Sequence, residues 1–310
     1  MSDSLVRAYL ALAAICVIWG VTYPAIKVAI LDFPPFLLVG IRQTSAGLIL
    51  LALAWRLGAG RRRFDHAYLV RQGLTGLLMI TGGNGFITWA MLQVSSGLAA
   101  VIGALTPVFV VLINAMWRGG ETVTPRMVVG VLMGFGGMGL IFSEGWADFG
   151  RPEYRWGIAG CFVSCITWSL ATVMAKRFND MDVSPLFNAG LQVTAGGLGG
   201  FVMSLLFDPA WEIRHSARGW TAVLFLTVLG SAVAFSLYTY VLRRLNAAMA
   251  SLYTYINPII AVLIGWLWLG EPLGARNSAG MALTIAGVWI VNQSGLRRLR
   301  EGMKARRVSV

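Results

Sequence analysis

The sequence predicts an all-α integral membrane protein whose ten transmembrane helices form a 5+5 inverted repeat. Three observations predict this class. Of the 310 residues, 57% are hydrophobic and 12% are charged, with a mean hydropathy of +0.72, which departs from the usage of soluble domains. Apolar runs long enough to span a bilayer tile the chain, and the second half repeats the first at a nearly constant offset.

Each predicted helix is an apolar run bounded by charged clusters or turn residues. The runs of the first half are residues 10–30, 36–55, 73–94, 98–117 and 127–142. They are bounded, in that order, by Asp32, Arg56, Arg71, Arg118 and Arg126. The runs of the second half are residues 156–175, 186–207, 221–242, 248–269 and 277–292, bounded by Lys176, Asp208, Arg243, Glu271 and Arg297.

The two halves align without large gaps. Cys16 to Lys27 and Cys165 to Lys176 share their Cys, Trp and Lys at an offset of 149 residues, and Pro107 aligns with Pro258 at 151. We therefore predict two five-helix units, residues 1–150 and residues 151–310, the second ending in a basic cytoplasmic tail. Because five is odd, the second unit enters the membrane from the opposite side, an arrangement typical of transporters that work by alternating access.

The basic residues report orientation. The net charge is +12, and most of the 25 Lys and Arg residues fall in segments on the same side as the N-terminus. By the positive-inside rule, both termini are predicted to be cytoplasmic. This distribution favours a membrane-bound carrier, and a nucleic-acid partner is not predicted.

Prolines interrupt two equivalent helices. Thr106-Pro107 and Asn257-Pro258 lie inside the fourth and ninth runs, and each proline leaves the carbonyl four residues earlier, on Gly103 or Thr254, without its helical donor. In lipid such a carbonyl is costly unless a cavity or a neighbouring helix satisfies it. All four interrupting residues are therefore predicted to contact substrate, although a plain structural kink is the alternative.

Aromatic and polar residues deep in other runs extend the predicted site. They are Trp19, Tyr23, Trp89, Trp168, Tyr238 and Tyr253, with Asn84 and Thr88 from the stripe Thr81, Asn84, Thr88. A polar stripe does not face lipid cheaply. Packing and interhelical hydrogen bonding are the alternative roles, and for the face Cys161, Cys165, Trp168, Thr172 we predict helix packing. No metal site, disulfide or other cofactor is predicted.

Three cations near helix ends, Lys27, Arg42 and Lys176, have two possible roles. They either extend to lipid headgroups or pair with a substrate carboxylate. No Asp or Glu occupies the middle of a run, and both histidines, His66 and His215, fall in predicted loops. This composition favours facilitated diffusion or exchange over proton coupling.

A membrane-embedded enzyme is the alternative class. The sequence contains no HExxH motif and no Walker A loop, so neither a zinc hydrolase of that type nor an ATP-driven pump is predicted. The chain is predicted not to be an enzyme.

The motifs resemble those of the EamA-type drug/metabolite transporter superfamily. The resemblance covers nearly the whole chain and is carried by the early Trp of each half, Arg42, and the paired segments Pro107 to Glu121 and Pro258 to Glu271. It implies a carrier of the bacterial inner membrane that exports small metabolites from a central cavity. The first half lacks the Glu-Pro pair, so a gate role is implied for Glu271 and not for Glu121.

Within that superfamily the chain is most similar to the bacterial aromatic amino acid exporters. The neutral, aromatic character of its mid-helix positions favours compact, partly apolar substrates, with lipid as the surroundings. Nucleotide sugars, lipid-linked sugars and drug-like compounds are the alternative substrates.

Overall fold

The structure is a computed structural model that describes residues 2–58, 65–94, 96–117, 123–141, 143, 150, 152–178, 182–208, 212–260 and 274–308. Helices follow one another throughout this part of the chain, which contains no strand. Ten helical units correspond in order to the ten predicted runs. The predicted all-α class with ten helices is therefore confirmed.

The first half contains five helical units. They are α1 (Ser2–Ala29), α2 (Pro35–Arg56), α3 (His66–Gly76, Leu77–Gly85 and Phe86–Ala90), α4 (Ser96–Gly103 and Thr106–Met116) and α5 (Pro125–Ile141). The middle segment of α3 is a π-helix. The fourth run is broken directly before its proline, because Pro107 cannot donate to the carbonyl four residues earlier.

The second half repeats this layout. It comprises α6 (Arg155–Arg177), α7 (Pro185–Phe207), α8 (Ala217–Phe225, Leu226–Val233 and Ala234–Arg244), α9 (Ala247–Ser251 and residues 253–260) and α10 (Ala275–Val308). The remainder of the ninth run and Glu271 lie outside the described residues. Helix α10 continues through the basic tail, whose Leu, Arg, Glu, Lys and Met residues favour helix.

A π-helix occurs at the same place in both halves. The segments Leu77–Gly85 and Leu226–Val233 begin 149 residues apart, the same offset that aligns the two Trp residues of α1 and α6. Hydropathy does not distinguish these segments from α-helix. A π-helix leaves backbone groups less regularly paired, and such segments are frequent at functional sites.

Helix contacts follow the repeat. Equivalent helices pair across the pseudo-twofold axis, with α2 along α7 and α5 along α10, and α1 packs on α8 as α6 packs on α3. Gly130 allows a close approach in the α5–α10 pair, because a Cβ atom there would lie 2.6 Å from the carbonyl oxygen of Gly287. The small residues of α5 thus serve packing within the chain.

Five helices, α1, α2, α6, α7 and α8, are long and apolar enough to cross a membrane as judged by length and composition. Large apolar side chains such as Trp55 and Leu205, each 70% exposed, cover the outside of the bundle, as expected for a surface in contact with lipid.

Contacts between loops define the two ends of the bundle. At the Ala29 end, Asp32 accepts a hydrogen bond from Ser216 before α8, and Asp208 accepts from the first backbone N–H groups of α2. At the Arg56 end, Tyr68 of α3 donates to Asn188 of α7. Because successive helices alternate in direction, these contacts place the connections α1–α2, α3–α4, α5–α6 and α7–α8 at the Ala29 end, and α2–α3, α4–α5, α6–α7 and α8–α9 at the Arg56 end.

Candidate functional site

A central cavity lies between α1, α2, α3, α4, α6, α8 and α9. Its enclosed volume is about 100 Å³, and the space between protein atoms is about 860 Å³ when the open mouth is included. On α1 its lining runs from Trp19 towards Ala29, so the cavity occupies the half of the bundle nearer the Ala29 end. A space this narrow suits a compact ligand.

Nine residues predicted to contact substrate or its carboxylate line this cavity. They are Trp19, Tyr23, Arg42, Asn84, Thr106, Trp168, Tyr253, Asn257 and Pro258. They come from six different helices, so the fold brings together residues up to 239 positions apart in the sequence. Their contact with a substrate stays a prediction.

An aromatic cluster closes the cavity towards the Arg56 end. This Tyr238 cluster consists of Trp19, Trp168, Phe235, Tyr238 and Tyr253. The ring of Trp19 is central, with its centroid 4.6 Å from that of Tyr253 and 5.3 Å from that of Tyr238. The Tyr238 hydroxyl is 2.7 Å from the Thr172 hydroxyl of α6, which links α8 to α6 within the second half. Edge-to-face contacts of this kind favour one packed arrangement.

The two equivalent tryptophans differ in their hydrogen bonds. The Trp19 indole donates to the carbonyl of Gly230, in the π-helical segment of α8, at 2.9 Å. The Trp168 ring lies against Gly83 in the π-helical segment of α3, and its buried Nε1–H faces the hydroxyls of Tyr238 and Tyr253 but makes no hydrogen bond of ordinary length among the described residues. A buried donor without a partner is unfavourable, so Trp168 offers a hydrogen bond on the wall of the cavity.

Both proline motifs contact a neighbouring helix, although α4 is interrupted directly before Pro107 whereas α9 is interrupted at Leu252 and is helical through Pro258. On α4 the Thr106 hydroxyl lies 3.4 Å from Cys165 Sγ of α6. On α9 the Asn257 amide, oriented with its nitrogen towards α1, donates to the carbonyls of Cys16 and Tyr253 at 2.9 Å. Cys16 and Cys165 are equivalent in the repeat, so both proline motifs contact the same repeat position, through a thiol in one half and a backbone carbonyl in the other.

The carbonyls released by the two prolines belong to lining residues. Gly103 and Thr254, four positions before Pro107 and Pro258, both line the cavity. Their carbonyl oxygens lack the helical donor that a residue other than proline would supply. The breaks thus give the cavity wall two candidate acceptors, one from each half of the chain.

Arg42 is the charged residue of the lining. Its side chain is only 2% exposed, and it donates from Nη2 to Asn84 Oδ1 at 2.7 Å, while Nε has no partner among the residues that the structure describes. This burial contradicts the alternative in which Arg42 extends to lipid headgroups, since that role would leave the guanidinium at the membrane surface. Asn84 belongs to the π-helical segment of α3, which aims its amide at α2.

Seven other predicted residues do not line the described cavity. Thr88 donates to the carbonyl of Asn84, and Pro107 begins the second segment of α4. Lys27 donates to the carbonyl of Met91, and Lys176 to those of Leu242 and Leu245. Tyr238 lies beneath the cavity in its cluster, Trp89 packs in a separate aromatic group, and Glu271 is outside the described residues. Their functional roles stay predictions.

Ten lining residues were not predicted as site residues. They are Thr22, Ile26, Gly83, Ile87, Gly103, Cys161, Ser164, Cys165, Gly230 and Thr254. Cys161 and Cys165 share a helix face with Trp168, and helix packing was predicted for that face. The proximity to Trp168 on one face was the signal that could have identified them.

Comparisons with known proteins agree on one family. The model of the EamA-like transporter family matches residues 6–143 and again residues 155–293. The uncharacterized inner membrane transporter YedA of Escherichia coli K12 is 30% identical over 282 residues, covering 91% of this chain and 89% of the relative. The uncharacterized transporter YvbV of Bacillus subtilis is 29% identical over 293 residues, covering 92% of each protein.

Two further comparisons add a name and a fold. A protein of Streptantibioticus cattleyicolor named a probable terminal-alkyne amino-acid exporter is 28% identical over 301 residues, covering 95% of this chain and 96% of the relative. A crystal structure superposes with a TM-score of 0.76 at 22% identity, covering 94% of this chain and 98% of that one. The latter shows a shared fold.

Proposed function

Because the chain belongs to the EamA-like transporter family, we propose that it exports amino acids with aromatic or other large apolar side chains across the inner membrane. One relative is named an inner membrane transporter, and the several apolar helices support a multi-pass protein surrounded by lipid whose substrate is a small molecule. The observation that carries the substrate class is a narrow cavity with an aromatic wall at one end and a buried guanidinium in its lining. The amino-acid exporter among its relatives supports the same class.

The size and charge of the cavity favour this class over its rivals. A nucleotide sugar or a lipid-linked sugar carries at least one phosphate and many hydroxyls, which need several cations and a wide space. Arg42 is the one cation among the described lining residues, and the free space is narrow. An apolar amino acid instead presents one carboxylate and one compact apolar side chain.

Transport is proposed to proceed by alternating access, with both termini cytoplasmic and the Ala29 end facing outwards. The Tyr238 cluster blocks the cytoplasmic side of the cavity, which supports assigning this structure to an outward-facing state. At an offset of 149 residues, Phe86 and Trp89 of α3 are the equivalents of Phe235 and Tyr238 of α8. In this state Phe86 and Trp89 lie away from the cavity, in a Trp89 cluster with Phe36 and Phe207.

Exchange of conformation between the two halves accounts for the opposite state. Phe86 and Trp89 would then pack against Trp19 and Trp168 and close the outer side of the cavity. Phe235 and Tyr238 would move away from these two tryptophans. The π-helical segments that precede each pair lie where α3 and α8 would bend. The division into units 1–150 and 151–310 is the premise of this exchange and remains a prediction.

Chemistry on the substrate is not part of this proposal. The cavity lining contains no paired carboxylates and, among the described residues, no group of three or more His, Cys, Asp or Glu could hold a metal ion. A carrier that releases its substrate unchanged fits these residues. We propose facilitated diffusion or exchange as the energetic mode, and accumulation driven by an imposed pH gradient in vesicles would contradict it.

The first test is transport by the purified protein in liposomes. Saturable uptake of labelled tryptophan is expected, with inhibition by phenylalanine and leucine and none by glutamate or a nucleotide sugar, because the cavity accepts one carboxylate and an apolar side chain. Empty liposomes provide the control. Flux no greater than in empty liposomes, or inhibition by the nucleotide sugar in place of phenylalanine, would remove the amino-acid proposal and leave the family assignment standing.

Replacing Trp168 by alanine is expected to raise the concentration of tryptophan needed for half-maximal uptake about tenfold or more. The substitution removes an aromatic wall and a buried donor, and burial of one large apolar side chain contributes about 1.5–3 kcal/mol. The matched control is Trp55→Ala, because Trp55 is 70% exposed on the surface assigned to lipid. Equal effects of the two substitutions would argue against an aromatic wall that contacts substrate.

A further inference from the structure

We infer that Arg42, held in place by Asn84, forms the subsite that binds the α-carboxylate of the transported amino acid. This inference rests on the proposed function, which gives the substrate class, and it assigns one chemical group of the substrate to one side chain. Four observations carry it: the burial of Arg42, the absence of a counter-charge, its unused donors, and its position relative to the aromatic wall.

The guanidinium of Arg42 is buried within the helix bundle, two turns from the start of α2, and the residue is 2% exposed. Charged side chains in this environment are costly and persist where they pair with a partner or serve transport. Among the described residues, Arg42 has one hydrogen-bond partner, the neutral oxygen of Asn84. Its charge therefore lacks a protein counter-charge in the described part of the chain.

Two described carboxylates at the Ala29 end of the bundle, those of Asp208 and Asp32, accept hydrogen bonds from groups other than Arg42. The Asp208 carboxylate accepts hydrogen bonds from the backbone N–H groups of Phe36 and Leu37 and from the Ser204 hydroxyl. The Asp32 carboxylate accepts from the Ser216 hydroxyl. Each carboxylate anchors a helix end, so neither neutralises Arg42.

The guanidinium also retains donors. Arginine has five N–H groups in a planar fork that matches the two oxygens of a carboxylate. Asn84 accepts from Nη2, and the buried Nε–H has no partner. Because Asn84 restrains the fork through one nitrogen, the remaining N–H groups are preorganised for a bidentate partner. A carboxylate supplies both the missing charge and the missing acceptors.

Arg42 lies in the same cavity as groups that suit the other two parts of an amino acid, its ammonium and its apolar side chain. Its guanidinium shares the lining with the rings of Trp168 and Tyr253, and with Gly103 and Thr254, whose carbonyls the prolines release. Carboxylate, ammonium and apolar side chain could each meet a complementary group. Arg42 would then determine that substrates carry a carboxylate, and the aromatic wall would determine which side chain is accepted.

The test compares phenylalanine with phenylalaninamide, which keeps the ring and the ammonium and lacks the carboxylate. Binding to the purified protein is measured from the change in intrinsic tryptophan fluorescence, since Trp19 and Trp168 line the cavity. Wild type is expected to bind phenylalanine at least about 100-fold more tightly than the amide, because an unpaired buried group penalises the analogue that lacks its partner. Equal affinities would overturn the inference without any substitution.

Arg42→Gln is expected to weaken phenylalanine binding about 100-fold and to leave amide binding within about threefold, so that the discrimination disappears. Arg42→Lys keeps the charge but loses the fork, and an intermediate ratio is expected. Asn84→Ala removes the hydrogen-bond acceptor that restrains the guanidinium. We expect it to reduce the preference for phenylalanine over the amide about tenfold while the arginine remains. It provides a measurement should Arg42→Gln fail to yield folded protein.

The matched control is Arg56→Gln, at the exposed cytoplasmic end of the same helix, which should leave both affinities unchanged. Folding of every variant is checked by thermal denaturation. Discrimination retained in folded Arg42→Gln would overturn the carboxylate subsite and leave the amino-acid proposal intact. Failure of wild type to bind either compound would overturn the proposed function itself.

Discussion

Gly76→Val is expected to yield little or no folded protein after extraction in detergent. A Cβ atom on Gly76 would lie 2.0 Å from the carbonyl oxygen of Gln192 and 2.7 Å from its Cα, so the obstacle is backbone of α7. Overpacking costs about 1–3 kcal/mol even where side chains can move, and here α3 and α7 would have to separate. Size-exclusion chromatography and thermal denaturation measure the result.

The control for this substitution is on the same helix, one turn earlier. A Cβ atom on Gly73 would meet nothing within 4 Å, so Gly73→Val tests helix propensity and added bulk without the clash. We expect Gly73→Val to remain monodisperse, with a melting temperature close to that of wild type. If Gly76→Val were equally stable, the close contact between α3 and α7 would be wrong.

The helices were predictable because a bilayer constrains the sequence strongly. Every backbone polar group must be satisfied within lipid, so each span needs a long apolar run, and hydropathy finds such runs. The constant offset between the halves also predicted their equivalence. The break of α4 was predictable because Pro107 lacks an N–H group whatever surrounds it, whereas α9 is interrupted at Leu252, six residues before Pro258, where the prediction had put the break.

The π-helical segments were not predictable from periodicity or hydropathy. Leu77–Gly85 and Leu226–Val233 are more apolar than the helical segments beside them, as an α-helix in lipid would also be, and their hydrogen-bond pattern depends on neighbours such as Trp168, whose ring occupies the space over Gly83. Their recurrence at the repeat offset is a tertiary property. It becomes visible only when both halves are packed together.

The site was predictable in its chemistry and less so in its members. Aromatic and amide side chains inside apolar runs stand out, and most of those chosen line the cavity. Glycines and an isoleucine such as Ile87 line it because of where the backbone passes, which residue type does not reveal. For the cations, the sequence could not decide whether the side chain points to the cavity or to a helix end. Lys27 donates to the carbonyl of Met91 near a helix end, whereas Arg42 lines the cavity.

The double substitution Phe86→Ala and Trp89→Ala is expected to lower the transport rate about tenfold or more while leaving equilibrium binding of substrate within about threefold. The pair is absent from the cavity lining in this structure, so its removal leaves the outward-facing site intact. In the opposite state it would form the outer closure. Loss of two buried aromatic side chains there would destabilise that state by several kcal/mol, at about 1.5–3 kcal/mol for each.

Comparing flux with binding separates a gate from a packing defect. Tryptophan uptake into liposomes gives the rate, and fluorescence titration with phenylalanine gives the affinity. The control is Trp220→Ala, which removes an aromatic contact with Phe33 at the same end of the bundle, where the ring centroids are 5.0 Å apart. Its repeat equivalent is Arg71, so no exchange of roles is expected for it.

If rate and affinity fell together in the double variant, Phe86 and Trp89 would contribute to the binding site or to folding. If neither changed, the exchange of aromatic pairs would be wrong. A loss of rate alone is the outcome that follows from two oppositely oriented halves, because only then does a pair remote from the substrate control its passage.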